Sequence, residues 1–160
     1  MPVRRLRKYL DENNIKYAVI SHSPAYTAQE TAQSAHISGR EMAKTVIVEM
    51  DRKMAMVVLP ASYKVNIGRL EDITESEDVR FAKENEFKRK FPSCEIGAMP
   101  PFGNLYSMDV YVAQRLTQDK EIAFNAGNHR ELIVMKYKDF DRLVHPIVLD
   151  LTLEPPKNIS

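Results

Sequence analysis

Cysteine is nearly missing from this chain of 160 residues: Cys94 stands alone, so no internal disulfide can form and a cysteine-rich zinc site is excluded. A reducing cytoplasm is therefore the expected location. The four histidines, His22, His36, His129 and His145, are too scattered for two ligands on one helical turn. Long apolar runs are also missing. None approaches the length that spans a bilayer, so no membrane partner is expected. The basic N-terminal residues Arg4, Arg5, Arg7 and Lys8 are not followed by the apolar segment of a signal peptide. Neither Gly-x-Gly-x-x-Gly nor Gly-Lys-Ser/Thr occurs, which leaves a Rossmann or phosphate-loop nucleotide site unsupported. The nucleophile elbow Gly-x-Ser-x-Gly is absent too, and with it the usual serine triad. Excess charge is scarce as well: a net charge of +1 is far below that of a strongly basic nucleic-acid binder.

The chain does have the balance of an ordinary globule, 44% hydrophobic and 28% charged, in a length that fits one sizeable core. Residues 1–150 are expected to form a single domain and 151–160 a loose tail. Residues 3–13 read as a helix with Leu6, Tyr9 and Leu10 on one face. Residues 17–20 form a strand. Thr27 and Glu30 then have capping-box spacing before an Ala-rich helix to about Ile37, with Gly39 as its stop. Residues 43–50 and 54–59 make a hairpin around Asp51-Arg52-Lys53. Asn66 to Leu70 could form a helical turn, and the acidic region 71–78 belongs in solvent. Residues 83–91 read as a helix, with Phe87 and Phe91 at i and i+4. Strands follow at 107–112, 121–125 and 132–136, then a helix at 139–144 capped near Asp139. These elements make an α+β domain around a mixed sheet.

Residues 94–104 concentrate two glycines and two prolines, from a chain total of five and nine. Pro100 and Pro101 fix φ and donate no hydrogen bond, while Gly97 and Gly103 reach backbone shapes closed to other residues. Such a stiff loop can simply connect two strands, or it can hold a carbonyl or phosphate oxygen on exposed N–H groups. Lys44 leads the more apolar face of its strand, either as a frayed edge snorkelling to water or as an ammonium in a pocket mouth. His129 sits in a Gly127-Asn128 turn, either exposed on a hairpin or presented at the same rim as the loop. Cys94 has no local base and reads as structural. His22 reads as a local structural residue, and Asp109 as solvent-facing. Two basic clusters, Arg4, Arg5, Arg7, Lys8 and Lys83, Lys88, Arg89, Lys90, are either solvated helix faces or a phosphate-tracking patch.

Taken together, residues 94–103, Asn125-Ala126-Gly127-Asn128-His129-Arg130-Glu131-Leu132-Ile133-Val134-Met135 and Tyr137-Lys138-Asp139-Phe140, with Ala43-Lys44-Thr45-Val46 upstream, resemble the YbaK/prolyl-tRNA-synthetase-associated editing domain. The resemblance covers about residue 3 to 149. Its most specific part is the Gly-x-x-x-Pro of Gly97 to Pro101 combined with the upstream lysine. It implies a mixed, mostly antiparallel and partly barrel-like sheet flanked by helices. It also implies a free-standing deacylase that hydrolyses the ester of a mischarged aminoacyl-tRNA. Lys44 would hold the terminal phosphate or ribose, Gly97 would present backbone to the ester, and His129 fills a polar position. Thr45, Ala98, Pro101, Phe102, Gly103, Gly127 and Asn128 would surround the substrate. The resemblance further implies no metal and no cofactor, with the substrate's own ribose hydroxyl and a bound water assisting.

The partner it implies is the aminoacyl-tRNA 3′ end; a helping synthetase and the oligomeric state stay open. An ester is already activated relative to an amide, so a positioned water and backbone donors could suffice. One departure stands out: many relatives carry an aspartate where this chain has Ala113-Gln114. That leaves a second reading, a weakly active or inactive module of the same fold that binds tRNA ends or nucleotides. A structural interaction domain is the third.

Overall fold

Leu6 and Leu10, one helical turn apart, bury one face of the first helix, α1 (Arg4–Glu12). The structure, a computed structural model, describes residues 4–22 and 42–153. The capping box at Thr27 and Glu30, its helix and the Gly39 stop lie outside the described residues, as do residues 154–160. After α1 come β1 (Tyr17–Ser21), β2 (Ala43–Met50), β3 (Lys53–Pro60), β4 (Lys64–Val65), α2 (Ile67–Thr74) and β5 (Val79–Phe81). A four-residue helix, α3 (Glu84–Phe87), runs into a 3₁₀ turn at Lys88–Lys90. A second 3₁₀ turn at Gly103–Leu105 precedes β6 (Asp109–Ala113), and a third follows it at Gln114–Gln118. The chain ends with β7 (Glu121–Asn125), β8 (Glu131–Lys136), α4 (Tyr137–Val144), β9 (Ile147–Leu149) and β10 (Thr152–Leu153).

The strands form a five-stranded sheet, β5-β2-β3-β6-β9, a three-stranded sheet, β1-β8-β7, and the β4–β10 pair. This is the mixed α+β architecture expected, with helices flanking the sheets. Among the described residues the sheets do not close into a barrel. An isolated parallel bridge between Met42 and Ala123 links the two larger ones. The β2–β3 hairpin has the expected bounds to within one residue, because Asp51 and Arg52 both take positive φ and make the tight turn. Two pairings are parallel, β3 with β6 and β6 with β9, so hairpins account for less of the sheet than its sequence implies.

β3 is covered on both faces. Met56 and Val58 join the main core with Phe102, Phe124 and Phe140. Ala55, Val57 and Leu59 join a second core with Tyr63, Leu70, Ala113 and Leu151. Double burial explains why β3 reads as one apolar run without alternation.

Several boundaries moved for local reasons. Asn66 caps α2, its Oδ1 accepting the Arg69 N–H at 3.1 Å, and the helix continues through the acidic region to Thr74. The helix expected at 83–91 breaks into α3 and a 3₁₀ turn, yet Phe87 and Phe91 still meet edge to face at 6.4 Å. Ser107 takes a left-handed φ, so β6 starts at Asp109. There Asp109 is exposed and meets Lys53 at 3.6 Å. α4 starts at Tyr137 with no side-chain cap, and Asp139 lies in its first turn, where a carboxylate favours the helix dipole. The fold also runs past residue 150. Leu151 is buried, its carbonyl accepts the Asn66 N–H at 2.8 Å, and Thr152–Leu153 pairs with β4.

Candidate functional site

The proline- and glycine-rich loop divides at Gly97. Its second half is core. Phe102 is fully buried and packs against Phe140 at 5.4 Å, Phe124 at 5.6 Å and Tyr9 at 6.2 Å. Burying such a ring contributes roughly 1.5–3 kcal/mol. Ala98, Pro101 and Gly103 are buried beside it. A Cβ on Gly103 would come within 2.5 Å of Val110 Cγ2, so close packing requires this glycine. The first half is exposed: Glu95, Ile96 and Gly97 face solvent, Ile96 at 42%. Gly97 has φ +82°, a conformation that L side chains rarely adopt.

The β7–β8 connection grips that exposed half. The Glu95 N–H donates to the Gly127 carbonyl at 2.8 Å, and the Gly127 N–H donates to the Ala98 carbonyl at 2.9 Å. Asn128 shapes the connection, its Oδ1 accepting the Arg130 and Glu131 N–H groups at 2.8 and 2.9 Å. His129 follows, 5% exposed, and its Nε2 lies 2.7 Å from the Ile96 carbonyl. A carbonyl can only accept, so Nε2 carries the proton. A Cβ placed on Gly97 would lie 3.5 Å from His129 Cε1, so ring and glycine are neighbours. Among the described residues the Ile96 and Gly97 N–H groups make no backbone hydrogen bond.

Lys44 lies near the start of β2. Two residues beyond the Met42–Ala123 bridge, Lys44 and Asn125 share one face of their adjoining strands. The Lys44 ammonium makes no hydrogen bond or ion pair among the described residues. Burial, and then the Lys64 ammonium, hold its own ammonium below the ordinary lysine range. Lys44 stands opposite Leu59, and Val58 opposite Val112, so Lys44, Leu59 and Ala113 lie abreast on β2, β3 and β6. Two strand spacings amount to about 10 Å. A carboxylate at Ala113 would thus share the row with Lys44, and alanine leaves the lysine without it.

The structure therefore gathers Gly97, Ala98, Gly127, Asn128 and His129, and places Lys44 on β2 two residues past the bridge to β7, the strand that leads into Gly127. Thr45 lies on the opposite face of β2, across from Val58 of the main core. Pro101, Phe102 and Gly103 support the loop from inside.

Asn125, His22 and Glu95, to which the sequence assigned no site role, also lie around this loop. Asn125 is 6% exposed, and its Oδ1 has no hydrogen-bond partner among the described residues. Burial of a polar strand residue leaves no periodic signal to find it by. His22 and Glu95 line a cleft of 540 Å³ with Ser21, Asn128, Arg130 and Glu131. The pairing of β1 with β8 brings His22 there, its N–H donating to the Arg130 carbonyl at 2.9 Å. Cys94 is half-buried, 3.7 Å from the Tyr106 hydroxyl, and burial pushes its thiol up, away from the thiolate. Among the described residues no three His, Cys, Asp or Glu side chains are arranged so that they could hold a metal ion.

The chain is similar to known proteins in sequence and in fold. A family model of the aminoacyl-tRNA editing domain matches residues 22–143. The prolyl-tRNA editing protein ProX of Acetoanaerobium sticklandii is 26% identical over 141 residues, covering 84% of this chain and 85% of that protein. A crystal structure of a hypothetical protein superposes with a TM-score of 0.84 at 20% identity, covering 94% of this chain and all of the other. A candidate trans-editing enzyme for prolyl-tRNA synthetase superposes with a TM-score of 0.80 at 20% identity, covering 94% and 96% of the two chains. At such identities the two structures share the fold.

Proposed function

This chain belongs to the aminoacyl-tRNA editing domain family, and from that membership we propose that it is a deacylase acting in trans on mischarged aminoacyl-tRNA. The observation that carries the reading is Gly97. Its backbone stands exposed at positive φ, with His129 bonded to the Ile96 carbonyl just before it. In the proposed reaction a water oxygen attacks the ester carbonyl. The Ile96 and Gly97 N–H groups stabilise the oxyanion that forms there. The ester C–O bond then breaks, the ribose oxygen takes a proton, and free amino acid and tRNA leave. The neighbouring ribose hydroxyl orients the water, so no protein nucleophile is needed. Lys44, half-buried and without a carboxylate partner, holds the terminal phosphate or ribose. His129 is a positioning residue here: its Nε2–H is committed to the loop.

Hydrolysis of a panel of alanyl-, cysteinyl-, seryl- and threonyl-tRNA, beginning with tRNA for proline because of the ProX similarity, tests the proposal. Acceleration of at least one over buffer is expected; no acceleration of any would overturn it. A second reading rests on Ala113, which leaves Lys44 without the carboxylate that many relatives carry. On that reading the domain binds tRNA 3′ ends without hydrolysing them, and the same panel would show binding alone. Capture of the tRNA through a synthetase would appear as a rate gain when the prolyl enzyme is added.

A further inference from the structure

The two basic clusters, some 75 residues apart in sequence, lie on elements that adjoin in the fold. On α1 the residues Arg4, Arg5 and Lys8 are exposed at spacings of three and four, which places them on one face. At nine residues and 1.5 Å per residue, α1 is about 13 Å long. The Arg5 guanidinium lies 5.3 Å over the Tyr106 ring, and Tyr106 lies 4.4 Å from Phe91. Phe91 closes the 3₁₀ turn whose residues Lys88, Arg89 and Lys90 are all exposed. The contacts of Arg5 with Tyr106 and of Tyr106 with Phe91 thus bring α1 and the basic 3₁₀ turn side by side.

This basic strip leads to the site. The Cys94 N–H donates to the Phe91 carbonyl at 3.0 Å, and Gly97 follows three residues later, within about 10 Å of extended chain. The acidic neighbours are largely engaged. Glu12 meets Lys8 at 3.9 Å, Asp11 accepts the Tyr17 hydroxyl at 2.9 Å, and Glu86 is bonded to Arg80 at 2.9 Å. Glu84 is exposed at the start of α3. Arg4, Arg5, Lys88, Arg89 and Lys90 make no ion pair among the described residues. In a chain of net charge +1, five such cations on one surface amount to segregation.

We propose that this strip, built from Arg4, Arg5, Lys8, Lys88, Arg89 and Lys90, is an RNA-backbone docking surface that carries the stem phosphates of the tRNA whose 3′ end enters the Gly97 site. The identity of the RNA rests on the deacylase reading; the polyanion chemistry does not. Each phosphate neutralised releases counterions, so binding through the strip weakens steeply with salt. The strip governs capture of the long substrate and leaves the ester chemistry alone.

The test combines Arg5→Gln, Arg89→Gln and Lys90→Gln in one chain, with its melting temperature checked against the parent. Fluorescence anisotropy with a deacylated tRNA, over a salt series, reads binding. The triple variant is expected to bind at least tenfold more weakly, and its slope of log Kd against log salt is expected to fall by about 2–3. Hydrolysis of a terminal aminoacyl-adenosine, which is too short to reach the strip, is expected to be unchanged. An unchanged Kd and slope would overturn the proposal. So would a parent protein that binds anionic vesicles but not RNA. If the parent hydrolyses no aminoacyl-tRNA while the anisotropy changes as expected, the deacylase reading fails and the strip stands. If hydrolysis proceeds and the triple variant binds tRNA like the parent, the strip fails and the deacylase reading stands.

Discussion

Residues 95–97 and 98–103 belong to one loop but answer to different physics. The later half is held by its side chains: Phe102 fills the aromatic centre of the core, and Gly103 is there because a Cβ would meet Val110 at 2.5 Å. The earlier half is held by its backbone. Glu95 is tied to Gly127 and Ile96 to His129, while Gly97, exposed at φ +82°, has ordinary room for a Cβ 3.5 Å from His129. Two glycines six residues apart thus serve opposite ends, one giving space to the core and one giving shape to a surface. Rigid packing behind and free donors in front is the arrangement expected of a site that must hold an oxygen without rearranging.

Substitutions can break or sharpen this contrast. The largest effect is expected from Phe102→Ala, which should cost about 3–5 kcal/mol of unfolding free energy in a urea titration while the rate per folded molecule stays near the parent's. A cost under about 1 kcal/mol would mean the ring is no anchor. Gly103→Ala should cost about 1–3 kcal/mol by overpacking against Val110, again in stability more than in rate. Gly97→Ala reverses the pattern. Strain at positive φ should cost only about 1–2 kcal/mol, yet deacylation should fall by more than about tenfold as the donors turn away. His129→Ala, which frees the Ile96 carbonyl, should cost about 1 kcal/mol and lower the rate less than Gly97→Ala does.

The smallest effect concerns pH. Lys44 has a folded-state pKa below its ordinary 10.5, so folding disfavours its charged form. Stability should therefore rise with pH between that folded value and 10.5. Lys44→Met should remove this rise and stabilise the fold at neutral pH, as read by urea titrations at several pH values.

The sequence made much of this legible, because the informative residues are the ones with strong local preferences. Gly97, Gly127 and Asn128 mark turns, the β2–β3 hairpin announces itself by its bounds, and Lys44 breaks an apolar face. What stayed hidden depends on partners distant in sequence. β4, β5, β9 and β10 are two or three residues long, too short for alternation to show. The inward course of Phe102 is set by rings from β7, α4 and α1. Asn125 and His22 come to lie around the loop only through strand pairing, and the two basic clusters are brought side by side only through the Arg5–Tyr106–Phe91 contacts.

Single-turnover hydrolysis by Lys44→Ala, on whichever aminoacyl-tRNA the parent protein cleaves, tests the site most directly. Lys44 is the proposed reactive-site cation, and among the described residues its side chain makes no hydrogen bond or ion pair that its removal would break. The expected result is a rate lower by about 100-fold or more, with a melting temperature no lower than the parent's. The parent's full rate in a folded Lys44→Ala protein would contradict the site.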